Sequence, residues 1–132
     1  MFVLGVSDHI MIAHSFPDPF FGPAQRVHGA TYGVEVELRV PRLDPHHVVV
    51  DIGAFRSLLR AALDTLDYRN LDEHAEFKSK FSTTERLAEH VANLVAESLS
   101  ALDPATRPPL GASLRVLLRE SPVAWAAYER GL

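Results

Sequence analysis

Val27-His28-Gly29-Ala30-Thr31-Tyr32-Gly33-Val34-Glu35-Val36-Glu37-Leu38-Arg39-Val40 alternates along its length. The even positions His28, Ala30, Tyr32, Val34, Val36, Leu38 and Val40 are mostly apolar, and Gly33, Glu35, Glu37 and Arg39 stand between them. Successive side chains of a strand point to opposite faces, so the pattern predicts a long strand with one face on the core and the other in water. His28 belongs to the core-facing set.

Upstream, residues 2 to 14 repeat the pattern, with Phe2, Leu4, Val6, Ile10, Ile12 and His14 on one face and Asp8 the only break. Residues 15 to 26 carry Pro17, Pro19, Gly22, Pro23 and three phenylalanines, which breaks both periodicities and predicts an ordered apolar loop that returns the chain antiparallel. Downstream, Pro41 and Arg42 to His47 form a turn, Val48-Val49-Val50 is expected to be extended, and Asp51 can cap a helix. Phe55, Leu58, Leu59, Ala62, Leu63 and Leu66 then recur at helical spacing, with an end expected near Asp67. Residues 67 to 83 are polar and irregular, after which Ser82 or Thr83 can cap a second helix striped by Leu87, Val91, Leu94, Val95 and Leu99. A third strand carries Leu114, Val116, Leu118 and Glu120 on one face, and a fourth spans about 123 to 129. The order ββααββ packs as an α+β fold: a four-stranded antiparallel sheet with both helices on one face.

At 132 residues one domain spanning 1–132 is expected, and 47% hydrophobic content is ordinary for a globular protein. A net charge of -4 offers no basic face for phosphate backbones, which argues against nucleic acid as a partner. The absence of cysteine removes disulfides, thiolate metal clusters and cysteine nucleophiles, and is compatible with a reducing, cytoplasmic location. Asp8 and His9 interrupt the apolar N-terminus well before the roughly 20 residues that span a bilayer, so no targeting or membrane segment is expected.

Several pieces in fixed order carry a resemblance: Ala13-His14, His28-Gly29, Val50-Asp51 with Phe55, Leu66-Asp67 with Asn70-Leu71-Asp72, Ser82-Thr83-Thr84-Glu85 with Leu87-Ala88, and Glu120 followed by Tyr128. Over nearly its whole length the chain resembles the 6-pyruvoyltetrahydropterin synthase family, which includes the bacterial 6-carboxytetrahydropterin synthases. The resemblance implies the tunnelling fold, in which subunits join their sheets into a barrel as a homo-oligomer, trimer or hexamer. It also implies a small-molecule pterin-like ligand at a subunit interface. Glu120 would accept hydrogen bonds from the guanidine-like edge of the pterin, and Thr83 and Thr84 would lie around its ring. His14 and His28 would hold zinc, and Asp67 would belong to a proton relay with Tyr68 beside it.

The departures from the family pattern fall on the chemistry. Ala30 stands where the third zinc-binding histidine is expected, Ala24 where the family has its cysteine base, and Tyr68 where it has the relay histidine. Asp18 is a substitute third ligand by proximity alone. A catalytic zinc keeps three protein ligands and an open position, and a phenol, with an ordinary pKa of about 10, needs activation to act as a base near neutral pH.

Each residue also has a plainer reading. His14 and His28 can be hydrogen-bonded core histidines, Glu120 a strand-end salt-bridge partner, Thr83 and Thr84 helix caps, and Asp67 a helix-terminal aspartate bonding nearby backbone. His46 and His47, in a proline-containing turn, read as solvent-exposed. Trp125 reads as a ligand platform or, more naturally, an interface residue. Two functional classes remain: a reduced-pterin or related purine-derived ligand handled by an enzyme with altered metal-assisted lyase chemistry, or a catalytically silent pterin-binding or regulatory homologue. A purely structural subunit is a third.

Overall fold

The computed structural model describes residues 1–132. The elements are β1 (Phe2–His14), β2 (His28–Val40), α1 (Ile52–Asp64), β3 (Arg69–Asn70), α2 (Thr84–Ser100), β4 (Ser113–Ser121) and β5 (Ala124–Gly131). The β1–β2 ladder runs antiparallel from Phe2 opposite Val40 to His14 opposite His28 without a break in register. β4 pairs antiparallel with β2, and β5 with β4, giving the order β3-β1-β2-β4-β5.

The even face of the sheet is the core. Ile10, Tyr32, Val34, Val36, Leu38, Leu114, Val116 and Leu118 are buried there. Phe55, Leu59 and Leu63 of α1 and Leu87, Val91, Val95 and Leu99 of α2 are buried in the same cluster, so the two helical stripes and the strand faces close on each other. Asp51 caps α1 by accepting from the Ala54 amide at 2.6 Å. No helix is long and apolar enough to cross a membrane.

Five strands, not four, make the sheet, and it is not wholly antiparallel. β3 has two residues and lies parallel to Ile12 and Ala13 of β1, inside the stretch that reads as irregular. Two residues are too few to show a period. The same stretch holds short 3-10 turns at Leu71–Glu73 and Ala75–Phe77, and the loop after β1 contains another at Pro19–Gln25, kinked at Gly22 with φ 54°. Val48 to Val50 form no strand, because the Asp44 carboxylate draws the chain into a turn by accepting from the His46 and Val48 amides at 2.8 and 3.1 Å. Helix α1 stops at Asp64, short of the expected Asp67, with Thr65 as its C-cap.

Strand direction brings the relevant residues together. β1 and β4 run one way and β2 and β5 the other. His14, His28, Glu120 and Trp125 therefore lie at the same end of the sheet. On its outer side β1 is paired only at Ile12 and Ala13, and β5 has no neighbour on its outer side.

Candidate functional site

At that end of the sheet a cleft of about 310 Å³ is lined by His14, Phe16, Phe21, Tyr32, Thr83, Thr84, Glu85, Glu120, Ala124, Trp125 and Ala126. Five residues singled out in the sequence, His14, Thr83, Thr84, Glu120 and Trp125, thus share one cavity, and His28 is not among its lining residues.

His14 ends β1 and is 2% exposed. Its Nδ1 lies 3.1 Å from both the carbonyl oxygen and the Oγ of Ser82. A carbonyl oxygen only accepts, so Nδ1 carries the proton and donates, leaving the lone pair on Nε2. His28 repeats the arrangement, with Nδ1 donating to the Arg26 carbonyl at 2.8 Å. The two rings meet edge-on with centroids 4.6 Å apart, and Phe16 packs against His14 at 4.6 Å. Burial pulls the His14 pKa below the usual imidazole range and the nearby His28 adds to this, against the Ser82 hydrogen bond and the charge of Asp72.

These residues do not fit the three-ligand zinc site that the resemblance implies. Ala30 has no donor, and no group of three histidine, cysteine or acidic side chains in the chain could hold a metal ion. Asp18 is occupied in capping the 3-10 turn, accepting from the Phe20 amide at 2.8 Å. Two imidazoles with parallel tautomers remain.

Glu120 lies on the same face as Tyr32, as its place in the alternation implies, but it is exposed rather than buried. The register between β4 and β5 shifts between Arg119 and Ser121, and Glu120, in that irregular step, is exposed at the cleft rather than buried beside Leu118. Thr83, not Ser82, caps α2, accepting from the Arg86 amide at 3.3 Å, while Ser82 turns inward to His14.

Asp67 and Tyr68 do not line the cleft of their own chain. Asp67 accepts from the Met11 amide at 2.9 Å and from Arg60 Nη2 at 3.0 Å, which ties the chain after α1 to the edge of β1. Tyr68 is 81% exposed and its amide donates to the Met11 carbonyl at 2.7 Å. Its φ of 57° is left-handed, a conformation that costs a non-glycine residue about 1–2 kcal/mol.

Tyr32, Phe16, Phe21 and Glu85 are cleft residues that sequence patterning did not single out. Tyr32 sits in the core-facing set of β2, and its one signal was a polar tip among aliphatic neighbours. Its hydroxyl lies 3.4 Å from Thr84 Oγ1. Burial raises its pKa, the charges of Glu120 and Glu85 add to the shift, and the Thr84 bond opposes it. Tyr32 is therefore a phenol that can donate. Trp125 is 54% exposed and has the Arg115 guanidinium 5.7 Å from its ring centroid.

The sequence profile of 6-pyruvoyl tetrahydropterin synthase matches residues 4–131. The chain belongs to the 6-pyruvoyl tetrahydropterin synthase family. It is 27% identical over 128 residues to the 6-carboxy-5,6,7,8-tetrahydropterin synthase of Bacillus subtilis, covering 96% of this chain and 84% of that protein. It is 37% identical over 76 residues to a putative 6-pyruvoyl tetrahydrobiopterin synthase of Caenorhabditis elegans, over 57% of this chain and 51% of that one. The structure of the Caenorhabditis elegans 6-pyruvoyl tetrahydropterin synthase superposes with a TM-score of 0.79 at 25% identity, covering 98% of this chain and 96% of the other. That of Plasmodium vivax superposes at 0.71 and 18% identity, covering 100% of each chain, a likeness of fold. The expected family and the α+β tunnelling fold are both shown, with the fifth strand as the correction.

Proposed function

We propose that this member of the 6-pyruvoyl tetrahydropterin synthase family binds a reduced pterin, or a related purine-derived ligand, in the cleft between β4, β5 and the start of α2. The observation that carries the reading is Glu120 at the mouth of a cavity that also holds Tyr32, Thr83, Thr84 and Trp125. A pterin presents adjacent N–H groups on its pyrimidine edge, and a carboxylate can accept two of them in parallel. Tyr32 and the threonine hydroxyls satisfy further ring atoms, and Phe16 and Phe21 supply an aromatic wall.

Asp67 and Tyr68 belong to this reading through a second copy of the chain. If the free edge of β5 pairs antiparallel with the free edge of β1 of a neighbour, the His14 end of that β1 comes beside Trp125. Asp67 and Tyr68, bonded to Met11 near that end, then approach the cleft from the neighbouring subunit. Tyr68 is the proton-transfer group in this assembly and Asp67 its positioning residue, in lyase chemistry that differs from the family's by its donors. His14 faces the ligand from the cleft lining with the His28 ring packed against it, and no step is routed through zinc.

A catalytically silent pterin-binding protein is the second reading, favoured by Ala24 and Ala30 where the family's base and third zinc ligand stand. Binding of dihydroneopterin to the purified protein tests the part common to both. Glu120→Ala is expected to abolish binding with the oligomer intact, and equal binding by the variant removes the assigned anchor. Turnover of the bound pterin then separates enzyme from silent homologue.

A further inference from the structure

The short strand β3 is pinned to β1 on both sides. Before it, the Asp67 carboxylate accepts from the Met11 amide at 2.9 Å. After it, the Asp72 carboxylate accepts from the Ser15 amide at 3.0 Å and from the Ser15 hydroxyl at 2.6 Å, and Asn70 Oδ1 accepts from the Asp72 amide at 3.0 Å. Asp67, Asn70 and Asp72 are thus committed within the chain. The two side chains between Asp67 and Asn70 are not. Tyr68 is 81% exposed. Arg69 is exposed, has no ion pair or side-chain hydrogen bond in its own chain, and lines a second cavity of about 650 Å³ with Tyr68, Asn70, Glu73 and His74.

Arg69 stands opposite Ile12 in the parallel β1–β3 pair, and Ile12 belongs to the core-facing set. Residues opposite each other in a ladder share a face of the sheet, so Arg69 is on the helix-bearing face, the face of His14 and Tyr32 in the cleft. Within one subunit the β5 side of the cleft is Ala124, Trp125 and Ala126, where the sheet stops at a free edge. The only charged side chains of that lining are Glu85 and Glu120. Unpaired strand edges are templates for a further strand. In the pairing of β5 with a neighbour's β1 described above, the neighbour's β3 continues the sheet at the Ala124 end of β5, because β3 occupies the edge of β1 at Ile12 and Ala13. The two cavities then adjoin across the edge. A guanidinium enters where the single chain offers only carboxylates, on a backbone already fixed by Asp67 and Asp72. Its planar fork of donors matches phosphate oxygens.

We propose that two copies of the chain build one site, Glu120 of one holding the ring edge of the pterin and Arg69 of the other holding a phosphate on the ligand's side chain, so that Arg69 sets the preference for a phosphorylated ligand over its neutral parent. This rests on the pterin reading above and adds the residue that selects the side chain.

The test compares equilibrium binding of dihydroneopterin and dihydroneopterin triphosphate to the full chain, to Arg69→Ala and to Arg69→Lys. The parent protein is expected to prefer the triphosphate. In Arg69→Ala that preference should fall by about 10- to 100-fold, the worth of hydrogen bonds to a charged group. Arg69→Lys keeps the charge without the fork and should retain part of it. Arg69→Ala and Glu120→Ala chains, co-expressed so that mixed oligomers form, should regain tight triphosphate sites that neither variant has alone. A parent with no preference for the triphosphate, an unchanged preference in Arg69→Ala, or no recovery in the mixed oligomers overturns the inference and leaves the pterin pocket standing. Failure of the parent to bind either ligand overturns the pterin reading and this inference with it.

Discussion

His14 and His28 are the last paired residues of the β1–β2 ladder, and their rings meet with centroids 4.6 Å apart. Ala30, the next core-facing residue of β2, lies opposite Ile12. The pair is therefore held in place by strand register and by the Nδ1 bonds to the Ser82 and Arg26 carbonyls.

Restoring the third donor is expected to create a site. Ala30→His should bind zinc about 100-fold more tightly than the parent, because a three-ligand site is the arrangement zinc favours. Calorimetric titration with zinc measures the gain. Tight binding by the parent protein shows that another residue supplies the third bond.

Asp67 carries a structural load whatever else it does. Asp67→Ala leaves the Met11 amide without its acceptor, while Arg60 keeps Asp8 and Asp64, and is expected to cost about 1–3 kcal/mol in urea denaturation. Asp67→Asn retains an acceptor for the amide and should lose less. An unchanged midpoint in the alanine variant contradicts the tie between Asp67 and β1.

Removing the cap from α2 is expected to act on stability first. Thr83→Ala loses the bond to the Arg86 amide, worth about 1 kcal/mol, and thermal denaturation should register it. A loss of pterin affinity far larger than the loss of stability assigns Thr83 a direct ligand contact as well.

Acid should weaken the protein through His90. Its Nε2 is buried without a partner, its ring packs against His74 and Phe77, and burial lowers its pKa, opposed by Glu76 and helped by His74 and Lys80. A base with a depressed folded pKa binds fewer protons folded than unfolded. Stability is thus fully present above the unfolded value near 6.5 and falls as the pH drops through the lower folded one. His14 titrates in the same direction. Denaturation of His90→Phe between about pH 5 and 7 should show a shallower loss than the parent, the range in which histidine titrates. Identical slopes place the acid sensitivity elsewhere.

The long strands were legible because two thirteen-residue stretches alternate, with Asp8 the one break in β1, and both helices because Phe55 to Leu66 and Leu87 to Leu99 repeat at helical spacing. β3 was not, since Arg69 and Asn70 join the sheet through backbone bonds to β1 that leave no mark on composition. Glu120 shows the limit at the site. Counting by twos puts it on the face of Leu114, Val116 and Leu118, and what the pattern does not show is that this end of the face opens into a cleft that leaves the carboxylate exposed. Tyr32 was hidden by the reverse effect, lying where a core residue belongs and using only its hydroxyl. Asp67 illustrates a third case, in which a motif residue has a clear partner, Met11, that is 56 positions away.

Trp125 is the only tryptophan and lines the cleft, so its fluorescence reports the cleft directly. Titration with dihydroneopterin should give saturable quenching in the parent protein. In Glu120→Gln the affinity should fall by about 10- to 100-fold, the worth of hydrogen bonds to a charged acceptor. No quenching in the parent, or equal affinity in the two proteins, contradicts a pterin cleft anchored by Glu120.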